Sequence, residues 1–185
     1  MYLPPSTQQL IALALSEDLG GGDVTTGATV PVDLAARAQV LVKADGVLAG
    51  MAVAAAVCAE VDPALRWTAL LADGAAVSAG TVAATLEGPA RSILMAERTL
   101  LNFLQRLSGV ATLTARYVAG IDGTGARLVD TRKTTPGWRW LEKAAVRAGG
   151  GDNHRFNLSD GVLIKDNHLA LGGHDVGGAV RAARA

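Results

Sequence analysis

The chain has 185 residues, 50% hydrophobic and 18% charged, which is enough apolar material for a folded core and too little charge for a disordered chain. Lys+Arg and Asp+Glu both number 17, so no overall charge draws it to nucleic acid or to an anionic membrane, and any anion site has to be built locally. The uncharged, mostly apolar run Gly46 through Ala59 is 14 residues against the roughly 20 needed to span a bilayer, and reads as a buried helix.

At the start, Met1-Tyr2-Leu3-Pro4-Pro5 has neither a basic nor an apolar leader region, so the expectation is a cytoplasmic protein. Ser6-Thr7-Gln8-Gln9 resembles a capping box ahead of Leu10, Ile11, Leu13 and Leu15, which predicts a short amphipathic helix ending near Gly20. The glycine-rich acidic stretch from Glu17 to Thr26 lacks the lysine and the following helix start that a phosphate cradle requires. Alternation predicts strands over residues 37–43 and 65–71, a turn at Asp73-Gly74 and a strand over residues 81–86, with a helix over residues 50–60 among them. The single cysteine, Cys58, lies in that apolar helix, which excludes an internal disulfide and marks it as a small buried hydrophobe. Over residues 91–107, Leu94, Leu101 and Leu104 recur at helical spacing, and Gly109 suits a C-terminal cap.

The pattern changes after Gly120: an apolar strand over residues 126–129, a polar loop, a helix over residues 138–148, a glycine run, and a strand over residues 161–164. Strand, helix and strand at this spacing predict parallel β/α units. The expected class is α/β, with an N-terminal α+β domain over residues 1–110 followed by the first part of an incomplete β/α barrel over residues 111–185.

Chemistry concentrates at the two later strand ends. The strand Arg127-Leu128-Val129 runs into Asp130-Thr131-Arg132-Lys133-Thr134-Thr135-Pro136-Gly137, and parallel folds bind ligands where their strands end. Arg132 can grip a carboxylate or phosphate through two hydrogen bonds, while Lys133 adds a compact charge, so the ligand is an anion. The second strand end carries Lys165-Asp166-Asn167-His168. Between the two lies Gly149-Gly150-Gly151-Asp152-Asn153-His154-Arg155, whose glycines permit close backbone approach and whose His154 and Arg155 add donors. Taken alone, the basic pair reads equally as surface charge, the glycine run more readily as a helix stop and the histidine more readily as structural; their convergence on one barrel mouth favours a site. Arg139, Lys143 and Arg147 read as solvated helix faces.

The three motifs together resemble the signature of the quinolinate phosphoribosyltransferases. Glu97-Arg98-Thr99-Leu100-Leu101-Asn102-Phe103-Leu104-Gln105-Arg106-Leu107-Ser108-Gly109 resembles that family's central helix, and the stretch from Glu17-Asp18 to Thr26 its N-terminal loop. The resemblance implies transfer of the phosphoribosyl group of phosphoribosyl pyrophosphate to the ring nitrogen of quinolinate, with decarboxylation, giving nicotinate mononucleotide, pyrophosphate and carbon dioxide for NAD synthesis. It also implies magnesium as cofactor and a homodimer with shared active sites, and no nucleic-acid or membrane partner. On this footing Arg132, His154 and Arg155 hold the quinolinate carboxylates, Lys133 and Lys165 act between the two substrates, and Arg98 reaches into a neighbour's site. No nucleophile sits with its base, which suits direct displacement by the pyridine nitrogen.

The chain departs from the family after His168, beyond which it has only residues 169–185; family members continue for roughly another hundred residues, or several β/α units of about 30 each. The acidic residues expected to hold magnesium and the glycine loop expected to hold the 5′-phosphate belong to that part, so no metal ligand is assigned and the chain alone is expected to be inactive. Two alternatives stay open: a molybdenum-operon relative of the same fold with a different substrate, and a non-catalytic truncated dimerisation module.

Overall fold

In the computed structural model, which describes residues 2–185, the chain opens on helix α1, Pro5–Leu19. Met1, which begins the stretch Met1-Tyr2-Leu3-Pro4-Pro5, lies outside the described residues. Pro4 is the N-cap and Pro5 sits in the first turn, where a missing N–H leaves nothing unsatisfied. The expected capping box at Ser6 does not form, because the helix has already begun: Thr7 N donates to Pro4 O at 2.9 Å. The core face is Thr7, Ile11 and Leu15, spaced by four, whereas Leu13 points outward at 66% exposure. A helix start the sequence did not reveal comes next at α2, Val24–Thr29, where the Asp23 carboxylate accepts from Thr26 N at 2.9 Å.

Strands β1, Ala35–Leu41, β3, Arg66–Ala69, and β5, Val82–Pro89, form an antiparallel sheet in the order β1-β5-β3. The central strand buries Ala83, Ala84, Thr85 and Leu86 and packs against helix α4, Ala90–Gly120, while helix α3, Met51–Val61, packs on α4 and β3. Between the helices lie Val53, Ala54, Val57, Phe103, Leu104 and Leu107. Cys58 is 1% exposed, and burial pushes its thiol pKa up to about 11, so it is an inert core residue as expected. A second, two-residue pairing joins β2, Gly46–Val47, to β4, Ala76–Val77. On its other side β2 is bound by α4: Thr112 Oγ1 accepts from Val47 N at 2.8 Å and Ser108 Oγ from Ala49 N at 3.0 Å.

Helix α4 runs for 31 residues straight through Gly109, so that glycine is not its cap. Gly109 faces open space, and a mid-helix glycine costs only about 1 kcal/mol relative to alanine. The helix continues because Ala111 and Thr114, beyond it, are buried, with Thr114 lying against the glycine run Gly149-Gly150-Gly151.

Two compact units make up the chain, Met1–Asn153 and His154–Ala185. Within the first, the strand expected over residues 126–129 is reduced to one parallel bridge, Val129 with Asp152. Asp152 N donates to Leu128 O at 2.8 Å and Asp130 N to Asp152 O at 3.0 Å. Helix α5, Arg139–Ala148, connects the two sides, completing the first β/α/β step of an α/β fold. Within the second unit, residues 161–164 pair with no described strand and form no ladder, contrary to expectation, since a strand needs a neighbour to form. Two helices complete this unit, α6, Asp166–Gly172, and α7, Val176–Arg184, so Lys165 is a helix N-cap and not a strand end. Among the described residues no helix is long and apolar enough to cross a membrane.

The glycine run after α5 serves packing. A Cβ on Gly149 would lie 2.3 Å from Ala111 O and 2.6 Å from Thr114 Cβ, and one on Gly151 would lie 3.0 Å from Thr114 Cγ2. The close backbone approach read from this run is therefore an approach to α4. Gly149→Ala should destabilise the protein by about 1 to 3 kcal/mol, because a helix backbone atom cannot move aside as a side chain can. A urea unfolding midpoint unchanged from wild type would show that α4 and α5 can separate freely.

Candidate anion-binding loop

The loop from Asp130 to Gly137 leaves the strand end and returns into α5, and its polar side chains are tied down at both ends. At the first end, the Asp130 carboxylate pairs with the Lys143 ammonium, and both side chains are nearly removed from solvent, at 7% and 4% exposure. Asn153 completes the arrangement, donating from Nδ2 to Asp130 Oδ2 at 2.7 Å and to Lys143 O at 2.9 Å. At the other end, Glu142 Oε2 accepts from Thr135 N at 3.2 Å, and Glu142 Oε1 accepts from Thr135 Oγ1 at 2.8 Å and from an Arg106 guanidinium N–H at 2.8 Å. The same Arg106 nitrogen lies 2.9 Å from Thr135 Oγ1. Arg139 Nε donates to Thr134 Oγ1 at 3.1 Å, and Thr131 Oγ1 accepts from Lys133 N at 3.1 Å.

Trp138, where the loop enters α5, stacks on Phe103 of α4 with ring centroids 4.8 Å apart and planes 25° off parallel. The loop thus closes on the rigid central helix. Gly137 turns the chain at φ +80°, a region where a side chain would be strained.

Burial works to raise the pKa of Glu142, but hydrogen bonds from Arg106 and from the side chain and backbone of Thr135, with the Arg106 charge, outweigh it and hold the carboxyl below its ordinary value. A depressed folded value contributes stability at pH above the unfolded value, and that contribution is lost as pH falls through the folded one.

Among the described residues, one buried side-chain N or O has no hydrogen-bond partner: Nε of Arg132. A shielded guanidinium N–H without an acceptor is unfavourable, and so marks the place where an anionic ligand is rewarded. Lys133 beside it is exposed. Arg132 and Lys133 are the two polar side chains of the loop that these internal contacts do not use.

The other expected site residues are distributed over both units. Arg98 is exposed on α4. His154, Arg155 and Lys165 belong to the second unit, where His154 and Lys165 are exposed and half-buried Arg155 donates to Gly161 O at 2.9 Å. Lys165 N donates to His168 Nδ1 at 2.9 Å, which closes the N-terminus of α6. Arg147 is exposed as expected, but Lys143 and Arg139 are not solvated: Lys143 is 3% exposed in its ion pair and Arg139 is half-buried against Thr134. Glu142, Arg106 and Asn153 are also loop supports that single-sequence reasoning missed. The one available signal was an unusual run of charge on a helix with little polar surface.

The carboxylates near the loop are already engaged by cations, and among the described residues no three His, Cys, Asp or Glu side chains converge as a metal site. The loop's own carboxylates, Asp130 and Glu142, are thus taken up by Lys143 and Arg106.

A short β/α/β step beside an α+β domain, with two cationic side chains, Arg132 and Lys133, in the loop that follows its first strand, defines a protein of the α/β class. Residues 23–108 match the family model for the quinolinate phosphoribosyl transferase N-terminal domain, and residues 110–185 that for its C-terminal domain. The chain belongs to the quinolinate phosphoribosyltransferase family. It is 48% identical over 165 residues to quinolinate phosphoribosyltransferase [decarboxylating] 1b of Nicotiana tabacum, covering 89% of this chain and 47% of that one. It is 45% identical over 157 residues to the probable nicotinate-nucleotide pyrophosphorylase [carboxylating] of Bacillus subtilis, covering 85% and 54%. The crystal structure of NadC from Streptococcus pyogenes superposes with a TM-score of 0.93 at 40% identity, covering 100% of this chain and 65% of that one. The chain spans about half the length of these two curated relatives.

Replacing Glu142 by Gln should lower the urea midpoint at neutral pH, and the difference from wild type should close as pH falls below the ordinary value of 4.5 and through the lower folded value. A difference that is independent of pH would mean that the carboxylate charge is not what holds Thr135.

Proposed function

We propose that the protein carrying this chain transfers the phosphoribosyl group of phosphoribosyl pyrophosphate to the ring nitrogen of quinolinate, with loss of the 2-carboxylate as carbon dioxide. The products are nicotinate mononucleotide and pyrophosphate. The observation that carries this reading is Arg132: a shielded guanidinium donor without a partner, on a loop whose other polar side chains except Lys133 are committed. Family membership and the names of the relatives support the same substrate.

In this reading Arg132, His154 and Arg155 hold the two ring carboxylates, and Lys133 and Lys165 stand between the substrates. Both reactants are polyanions, so the site contributes mainly orientation and charge neutralisation. The pyridine nitrogen attacks the ribosyl carbon as the bond to pyrophosphate breaks, and a nearby cation stabilises the charge that decarboxylation leaves on the ring. Arg98, exposed on α4, serves the site of a second copy in a homodimer, and the protein works in the cytoplasm.

Isothermal titration of quinolinate, with nicotinate as the one-carboxylate comparator, tests the reading directly. Arg132→Lys should weaken quinolinate binding about tenfold or more, since an ammonium group cannot reproduce a bidentate guanidinium contact and such charge-assisted bonds are worth roughly 1.5 to 3 kcal/mol. Binding within threefold of wild type would remove Arg132 from the site. The shared site makes a separate demand. Arg98→Ala and Lys133→Ala chains, each deficient alone, should recover quinolinate binding when mixed, because one site of a hybrid dimer carries neither lesion. No recovery after proven subunit exchange would refute it.

A further inference from the structure

Consecutive residues of α5, Glu142 and Lys143, hold opposite ends of one loop. Lys143 fixes Asp130, where the loop begins, and Glu142 fixes both the backbone N–H and the hydroxyl of Thr135, near its end. Arg132 and Lys133 lie between the two clamps. We propose that Glu142 and Lys143 are positioning residues for quinolinate: they act through Thr135 and Asp130 to aim the Arg132 guanidinium, and do not touch the ligand. The inference rests on the reading of this loop as the quinolinate site.

Three observations separate this role from ordinary core building. A buried ion pair adds little net stability compared with apolar residues of the same volume, so Asp130 and Lys143 are poorly explained as a source of stability. What the pair supplies, with Asn153 bonded to both partners, is a fixed direction for the backbone that enters Thr131-Arg132. The Glu142 clamp is aimed at a loop amide, and the cation that pins its carboxylate, Arg106, comes from α4. The loop is therefore referenced to the central helix as well as to α5. Gripping two carboxylates on one ring requires that direction to be held, because a guanidinium fork bonds well in a narrow range of orientations.

The test compares the wild-type chain with Glu142→Gln, with the double variant Asp130→Asn/Lys143→Met, with Lys143→Arg, and with Arg132→Ala as the direct-contact control. Glutamine keeps the volume of Glu142 but removes its charge. The double variant leaves no lone buried charge, so neither is designed to break the fold. Quinolinate and nicotinate dissociation constants are measured by titration calorimetry, alongside thermal midpoints and amide exchange at Lys133 and Thr135. Positioning predicts that Glu142→Gln and the double variant weaken quinolinate binding tenfold or more, and that the preference for quinolinate over nicotinate shrinks. Exchange should quicken at Lys133 and Thr135 while the rest of the chain stays protected, and Lys143→Arg should retain most of the preference. An unchanged preference, or binding within twofold of wild type in both variants while Arg132→Ala loses it, would overturn the positioning role alone. Loss of fold in both variants would overturn it as well, by showing the clamps to be structural. Wild-type binding that is absent, or indifferent to Arg132→Ala, would instead sink the reading of the loop and this inference with it.

Discussion

One apolar stripe along α4 organises the first unit. From Ile93 through Ala96, Leu100, Phe103, Leu104 and Leu107 to Ala111, it packs under the sheet, against α3 and finally beneath α5. Hydrophobic burial is not directional, but a 31-residue helix imposes direction on everything that buries against it. The sheet, the short β2-β4 pairing and the loop that leads into α5 all take their bearings from this single rod, and Phe103 stacked on Trp138 is where it meets the loop.

Polar interactions then do what apolar packing cannot. The loop from Asp130 to Gly137 buries little of itself, so its shape depends on partners with defined geometry: carboxylate to ammonium, carboxylate to amide, guanidinium to hydroxyl. Two of its cations are left out of this internal neutralisation. The arrangement keeps acidic side chains satisfied within the chain while positive charge stays available at the strand end, which is how a chain of zero net formal charge can present a locally cationic site.

Periodicity exposed α1, α3, α5 and the sheet strands in the sequence, because each is long enough for its apolar repeat to stand out. It could not expose β2 and β4, two residues each, nor α2, whose start rests on a single aspartate cap in a glycine-rich stretch. Gly109 read as a stop because local propensity is visible in sequence, while the tertiary burial of Ala111 and Thr114 that overrides it is not. The site obeyed the same rule. Arg132 and Lys133 stand out as candidates where a predicted strand runs into a basic motif, but Lys143 reads as a solvated helix face and Glu142 gives no signal, because their partners Asp130 and Arg106 lie 13 and 36 residues away. Residues 161–164 show the converse: an apolar run with strand composition and no described neighbour forms no ladder.

The contact between α4 and β2 carries a further consequence. Strand edges offer free N–H and C=O groups that can recruit another chain, yet here Thr112 and Ser108 take the outward amides of Val47 and Ala49, and their hydroxyls donate back to the same residues' carbonyls at 3.4 and 3.2 Å. The fit needs Gly46, since a Cβ there would lie 2.5 Å from Thr112 Oγ1. A helix thus stands in for the missing neighbouring strand. The edge is sealed by side chains that cannot themselves propagate a ladder, so this face of the short pairing offers no template for amyloid-like growth or strand invasion.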